Sequence, residues 1–212
     1  GGKGAIYIKS SGNAFDKNPT SDCGLNFSCT EMMIDNYSAV PYIINVGSLQ
    51  ATGVVSSYTT PGSALWISGF GGENGANSSY VSTSSGRYKP AMLTTDQSGC
   101  TNGYVGSNGG IQWNEFENHS GGYSENSSCN YTSTFNGTSS AAPTVSGVVA
   151  LMLEANPDLT WRDVKHILAI TADQVDSSQS YDFREVTQYE WETNSKGYKF
   201  QNLYGFGKVD AV

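Results

Sequence analysis

The chain has 212 residues, 37% of them hydrophobic and 14% charged, with 25 glycines. That is enough apolar content for one sizeable core, so it reads as a loop-rich globular domain, or a piece of one, and not as a disordered chain. A formal charge of -8 argues against nucleic acid, whose phosphates are bound by basic surfaces, and suits a cationic partner; no apolar run approaches the roughly 18 residues that span a bilayer.

The first residue is Gly1, and no basic-then-apolar leader is present, so secretion is not read from a signal peptide. Four cysteines in a chain rich in Ser, Gly, Asn and Thr and poor in Lys favour an oxidising, extracellular setting. Of three possible connectivities, Cys23 with Cys29 and Cys100 with Cys129 is preferred, because each pair closes one polar loop. Zinc is the rival reading, and the sequence holds no Cys-x-x-Cys pair to favour it.

Ala5-Ile6-Tyr7-Ile8 is short and bounded by glycine and serine, as a buried parallel strand is. Asn13 lies just past its end. Ligands of open α/β sheets sit off the carboxyl ends of strands, which places this amide for chemistry, although an asparagine after glycine is also a common turn. Residues 14–36 form a polar loop holding Cys23, Cys29, Asp16, Asp22, Glu31 and Asp35, and residues 42–47 return to strand. A third strand is expected over residues 62–68. Gly69-Phe70-Gly71-Gly72-Glu73-Asn74 lacks the last glycine of a dinucleotide fingerprint and opens no helix, so it reads as loop. Residues 90–95 are a plausible strand with proline at its first position. Residues 96–135 follow as a polar insertion without strong periodicity. It is too long for a simple connection, so it is a folded excursion, pinned by Cys100 and Cys129; a solvated decoration is preferred over a border of the substrate cleft. Asn-x-Ser/Thr triplets are common in so Asn- and Ser-rich a chain, and glycosylation is not predicted.

Val148-Val149-Ala150-Leu151-Met152-Leu153 is apolar almost all round, which predicts a helix buried in the core. Pro143 lacks a backbone donor and suits a first helical turn, so the helix should begin close to Ser139. There a hydroxyl meets unpaired N–H groups and the positive end of the helix dipole; a simple N-cap is the alternative. Asn156-Pro157 ends this helix. Thr160, with Asp163 three residues on, caps the next, whose buried face is Val164, Ile167, Leu168 and Thr171. Beyond residue 175 the chain is irregular, and Tyr189, Trp191, Tyr198, Phe200 and Tyr204 are expected to pack under loops.

Gly137-Thr138-Ser139-Ser140-Ala141-Ala142-Pro143 resembles the nucleophile motif of the subtilisin-like serine proteases, Gly-Thr-Ser-x-Ala-x-Pro, at every fixed position. Leu153-Glu154-Ala155-Asn156-Pro157-Asp158-Leu159-Thr160-Trp161-Arg162-Asp163-Val164 is similar to the kexin and furin branch, as is Tyr204-Gly205-Phe206-Gly207-Lys208-Val209-Asp210-Ala211 near the end. Ser11-Gly12-Asn13, after its strand, resembles the turn that carries the family's oxyanion-hole asparagine.

The resemblance implies an α/β fold, the subtilisin-like three-layer arrangement with a mostly parallel sheet, here without its N-terminal strands and helices. Residues 1–212 would then be the C-terminal part of one catalytic domain. The implied activity is a secreted serine endopeptidase acting on protein or peptide substrates, with Ser139 as nucleophile and Asn13 in the oxyanion hole. Ser10, Ser11 and Gly12 would wall the S1 pocket. Asp35-Asn36-Tyr37 followed by Tyr42 matches the spacing of the branch's Asp-Gly-Tyr, whose aspartate lines the pocket for a basic P1 side chain; an ordinary Asp-Asn turn is the alternative. Tyr58-Thr59-Thr60 stands where the branch has Tyr-Ser-Glu, so one acid of a structural calcium site is absent and the ligands of any calcium are not assignable. No cofactor is implied for the chemistry. The family's general base is a histidine oriented by an aspartate, and neither His119 nor His166 stands in the matching motif. Both partners are therefore expected in an N-terminal half of the domain outside this chain, and the fragment alone is expected to be inactive. A non-catalytic unit descended from such an enzyme is the alternative.

Overall fold

Three parallel strands in the order β1-β2-β3 carry the functional end of the molecule. The computed structural model describes residues 4–15, 32–77, 89–105, 114–117, 124–177 and 190–211. β1 is Tyr7–Ser10, β2 is Ile43–Leu49 and β3 is Leu65–Phe70. β2 lies between its neighbours and is buried along almost its whole length, which is why Ile-Ile-Asn-Val-Gly-Ser-Leu shows no polar alternation. β1 runs two residues further than its apolar stretch suggests, because Lys9 and Ser10 pair with Asn45 and Val46. β3 likewise extends into the glycine-rich segment read as loop: Phe70 pairs with Leu49, and the Ser68 carbonyl accepts the Val209 N–H at 2.8 Å.

β4 (Met92–Thr95) pairs antiparallel with β5 (Tyr131–Phe135), so the last five residues of the insertion are a strand. Tyr-Thr-Ser-Thr-Phe is rich in β-formers but too short to show a period within so polar a segment. Cys100 and Cys129 are disulfide-bonded, while Cys23 and Cys29 lie outside the described residues. The buried Glu117 carboxylate accepts bonds from the Thr132 hydroxyl at 3.0 Å and from Ser133 N–H, fastening the excursion to β5.

α1 (Thr138–Ala155) and α2 (Trp161–Thr171) share one core with the sheet, built from Ile44, Val46, Ile67, Val145, Val149, Val164 and Leu168. α1 is not buried all round. Its core face is Thr138, Ala141, Val145 and Val149, while Leu151 is 57% exposed on the other side. Pro143 also stands one turn deeper than its sequence position suggests, where it has no N–H to give the Ser139 carbonyl four residues earlier. No helix among the described residues is long and apolar enough to cross a membrane. Two short strands, β6 (Glu192–Thr193) and β7 (Lys199–Phe200), pair near the C-terminus. Of the aromatic residues expected to pack there, Trp191 stacks on Tyr204 at 5.7 Å and Phe200 meets Phe206 edge-on at 5.5 Å, while Tyr189 lies outside the described residues.

α2 carries the capping box read from sequence, with Thr160 Oγ1 accepting the Asp163 N–H at 3.3 Å and Asp163 Oδ2 accepting the Thr160 N–H at 2.8 Å. On its buried side, Lys165 Nζ donates to the carbonyls of Pro41 and Ile43 at 2.8 and 3.0 Å and lies over the Trp66 ring, and burial pushes its pKa down to about 8. Thr160→Ala removes one half of the box and should lower unfolding stability by about 1 kcal/mol in chemical denaturation of the intact protein.

Candidate active site

Asn13 sits on the turn that leaves β1, and Ser139 is the second residue of α1; both are exposed. The two are joined through Thr138. Asn13 Oδ1 accepts the Thr138 N–H at 2.8 Å and the Thr138 hydroxyl at 2.8 Å, and Thr138 Oγ1 in turn accepts the Gly12 N–H at 3.2 Å. The carboxamide oxygen is thereby committed to the helix, and the amide nitrogen is the donor end of the group. A Cβ placed on Gly137 would meet Asn13 Nδ2 at 3.2 Å and Ser139 N at 3.5 Å. Asn13 Nδ2 and the Ser139 backbone nitrogen therefore both lie close to Gly137, at the start of the helix that carries Ser139. Gly137 has φ 97°, so a side chain there is excluded twice, by backbone strain and by the space it would fill.

The helix start is held by a second anchor. The Tyr58 hydroxyl accepts the Gly137 N–H at 2.8 Å and donates to the Gly72 carbonyl at 2.6 Å, with Ser48 Oγ at 3.0 Å. Burial pushes the Tyr58 phenol above its ordinary pKa, so it remains a donor. This tyrosine was not singled out from sequence, where Tyr58-Thr59-Thr60 signalled only a missing acid. Thr138 was also passed over, although its fixed place in the motif was a signal.

The remaining residues expected at the site are placed as follows. The Ser11 N–H donates to the Val46 carbonyl at 3.0 Å, and its buried Oγ has no partner among the described residues. The Gly12 carbonyl accepts the Thr60 N–H at 3.0 Å. The Ser10 carbonyl accepts Lys9 Nζ at 3.1 Å, so β1 leads its last residues to the same end of the sheet as Asn13. Asp35 follows a short 3-10 turn (Met32–Ile34) and pairs with Lys9 Nζ at 2.7 Å, which holds its carboxyl below the usual value. His166 is exposed on α2, edge-on to Tyr198, and makes no hydrogen bond to Ser139; His119 lies outside the described residues. Among the described residues the Ser139 hydroxyl has no base. Nor do three or more His, Cys, Asp or Glu gather there for a metal, and Thr60, buried and neutral, supplies no charge to a calcium ion.

A cleft of about 850 Å³ reaches Asn136, three residues before Ser139, and is also lined by Asn74, the facing threonines of β4 and β5, and Asp96, Gln97 and Tyr104 from the insertion.

Parallel strands packed on two helices, the first of which presents a serine at its start, define an α/β protein. The subtilase family (peptidase S8) model matches residues 1–207, and the chain belongs to that family. It is similar to the extracellular serine protease of Aeromonas sobria, 36% identical over 99% of this chain and 34% of that protein. It is also similar to kexin of Saccharomyces cerevisiae, 32% identical over 69% of this chain and 17% of the relative. Among solved structures, the crystal structure of the serine protease of Aeromonas sobria superposes with a TM-score of 0.82 at 34% identity, covering 100% of this chain and 36% of that one. The chain thus spans about a third of the length of its Aeromonas relative.

Tyr58→Phe deletes the acceptor for Gly137 N–H and frees the helix start. In the intact protein it should lower the rate of phosphonate labelling at Ser139 by about fivefold, read by mass spectrometry, because one buried hydrogen bond is worth roughly 1 kcal/mol.

Proposed function

We propose that the chain forms part of the catalytic domain of a secreted serine endopeptidase of the kexin type, cleaving after basic residues. The observation that supports this reading is that Asn13, bonded through its Oδ1 to Thr138, lies at the start of the helix whose second residue is the exposed Ser139, with Asn13 Nδ2 and Ser139 N both close to Gly137. Ser139 Oγ attacks the scissile carbonyl carbon while its proton passes to a histidine outside this chain, oriented by an aspartate. The carbonyl oxygen gains the displaced electron pair and is held by the two donors. Collapse of that intermediate expels the amine, which takes the proton, and water then releases the acyl group by the same steps in reverse. No cofactor enters these steps. A structural calcium ion would draw on ligands beyond the described residues.

The base and its aspartate are assigned to an N-terminal half of the domain. Its docking face would include the outer side of β1 at Tyr7, 57% exposed, with Tyr42 just before β2 against its ring and 49% exposed, and the outer side of α1 at Leu151. Secretion is supported by the extracellular Aeromonas relative. Asp35, beyond the wall formed by Ser10, Ser11 and Gly12, is the proposed base of the S1 pocket. A non-catalytic descendant is the second reading, favoured by the want of a histidine at Ser139 among the described residues.

A phosphonate probe on the intact protein should modify Ser139, with labelling lost in Ser139→Ala; labelling that survives this change refutes the nucleophile, and none in either protein favours the non-catalytic reading. Asn13→Ala should lower kcat by about 100- to 1,000-fold, the range known for an oxyanion donor of subtilisin. Asp35→Ala should lower kcat/KM after Arg relative to Leu; an unchanged ratio removes Asp35 from the pocket.

A further inference from the structure

Lys9 stands in β1, four positions before Asn13, on a strand whose next three residues are the proposed S1 wall. Its ammonium lies 2.7 Å from Asp35 Oδ2, 3.3 Å from Ser38 Oγ and 3.1 Å from the Ser10 carbonyl. Asp35 is held in turn by the Tyr37 N–H at 3.0 Å and the Ser38 hydroxyl at 3.4 Å. The carboxylate is therefore fixed by backbone and hydroxyl donors, and its one cationic contact among the described residues comes from the chain itself. A lysine of a substrate would seek the same environment: a carboxylate, a hydroxyl and a carbonyl, all accepting from one ammonium.

Resting on the reading of Asp35 as the base of the S1 pocket, we infer that Lys9 is a tethered competitor for the P1 side chain, occupying Asp35 until a basic residue of the substrate displaces it. The pair suits such an exchange. The two side chains are 32% and 41% exposed, so the ammonium can swing into water on its flexible stem without leaving a buried charge behind. Surface pairs of this kind are weak, so displacement lowers the preference for basic P1 residues without abolishing it. A guanidinium should compete better than an ammonium, since it can take both carboxylate oxygens while Lys9 takes one. A P1 leucine gains nothing from Asp35 and leaves Lys9 in place.

The test compares kcat/KM for matched peptides with Arg, Lys or Leu at P1, in the intact protease and in its Lys9→Gln, Lys9→Met and Lys9→Arg variants. Lys9→Gln and Lys9→Met should raise the Arg-to-Leu ratio about fivefold, mainly through a lower KM after Arg, while Lys9→Arg, whose guanidinium can take both carboxylate oxygens, should hold it at or below the parent ratio. If the ratio is unchanged in Lys9→Gln and Lys9→Met but falls in Asp35→Ala, the pocket stands and Lys9 is only a surface pair, which overturns the inference. If it is unchanged in Asp35→Ala as well, the pocket reading fails and the inference with it. A loss of activity common to all three peptides in Lys9→Gln, with the ratio unmoved, marks a structural role and likewise overturns it.

Discussion

The arrangement depends on how closely the first turn of α1 approaches the ends of two parallel strands. Gly137 and Gly71 make this possible, since a Cβ on Gly71 would come within 2.6 Å of the Gly137 carbonyl. Across the gap that the missing side chains leave, Asn13 binds Thr138 from β1, and Tyr58 binds Gly137 from the loop after β2. Each link satisfies an N–H that a helix start leaves without an intrahelical partner. The Ser139 backbone nitrogen and Asn13 Nδ2 both lie close to Gly137. A side-chain oxygen committed to structure thus leaves a side-chain nitrogen available for chemistry.

The same economy of contacts explains what could be read from the amino acids alone. Ser139 and Asn13 each follow a strong local signal, a glycine-serine boundary before an apolar run and an asparagine after a short β-rich stretch. The Thr160–Asp163 box is also local and was legible for that reason. Tyr58 was not, because its partners Gly72 and Gly137 are brought to it only by the tertiary fold. The Lys9–Asp35 pair joins residues on separate segments, and neither carries a pattern that announces the other. β5 escaped notice because five β-formers in a long polar stretch do not establish a period. The depth of Pro143 and the one-sided burial of α1 were misjudged for a different reason: apolar residues on every side of a helix describe what it can bury, not what covers it.

Charge is distributed with similar local logic. The chain is acidic as a whole, yet the described carboxylates near the site are engaged: Glu73 by Ser57 and Gln50, Glu117 by Thr132 and Ser133, Asp35 by Lys9. The first two are buried and serve to hold loops in place. Asp35 is the exposed one, and a partly exposed carboxylate can exchange its partner. The insertion contributes Asp96, Gln97 and Tyr104 to the cleft it shares with β4 and β5.

The most direct measurement is a crystal structure of the intact protein after reaction with a peptidyl phosphonate. The account predicts phosphorus bonded to Ser139 Oγ, with one phosphoryl oxygen within about 3.1 Å of both Asn13 Nδ2 and Ser139 N. An adduct whose phosphoryl oxygens both point to solvent, with Asn13 Nδ2 bound elsewhere, would contradict it.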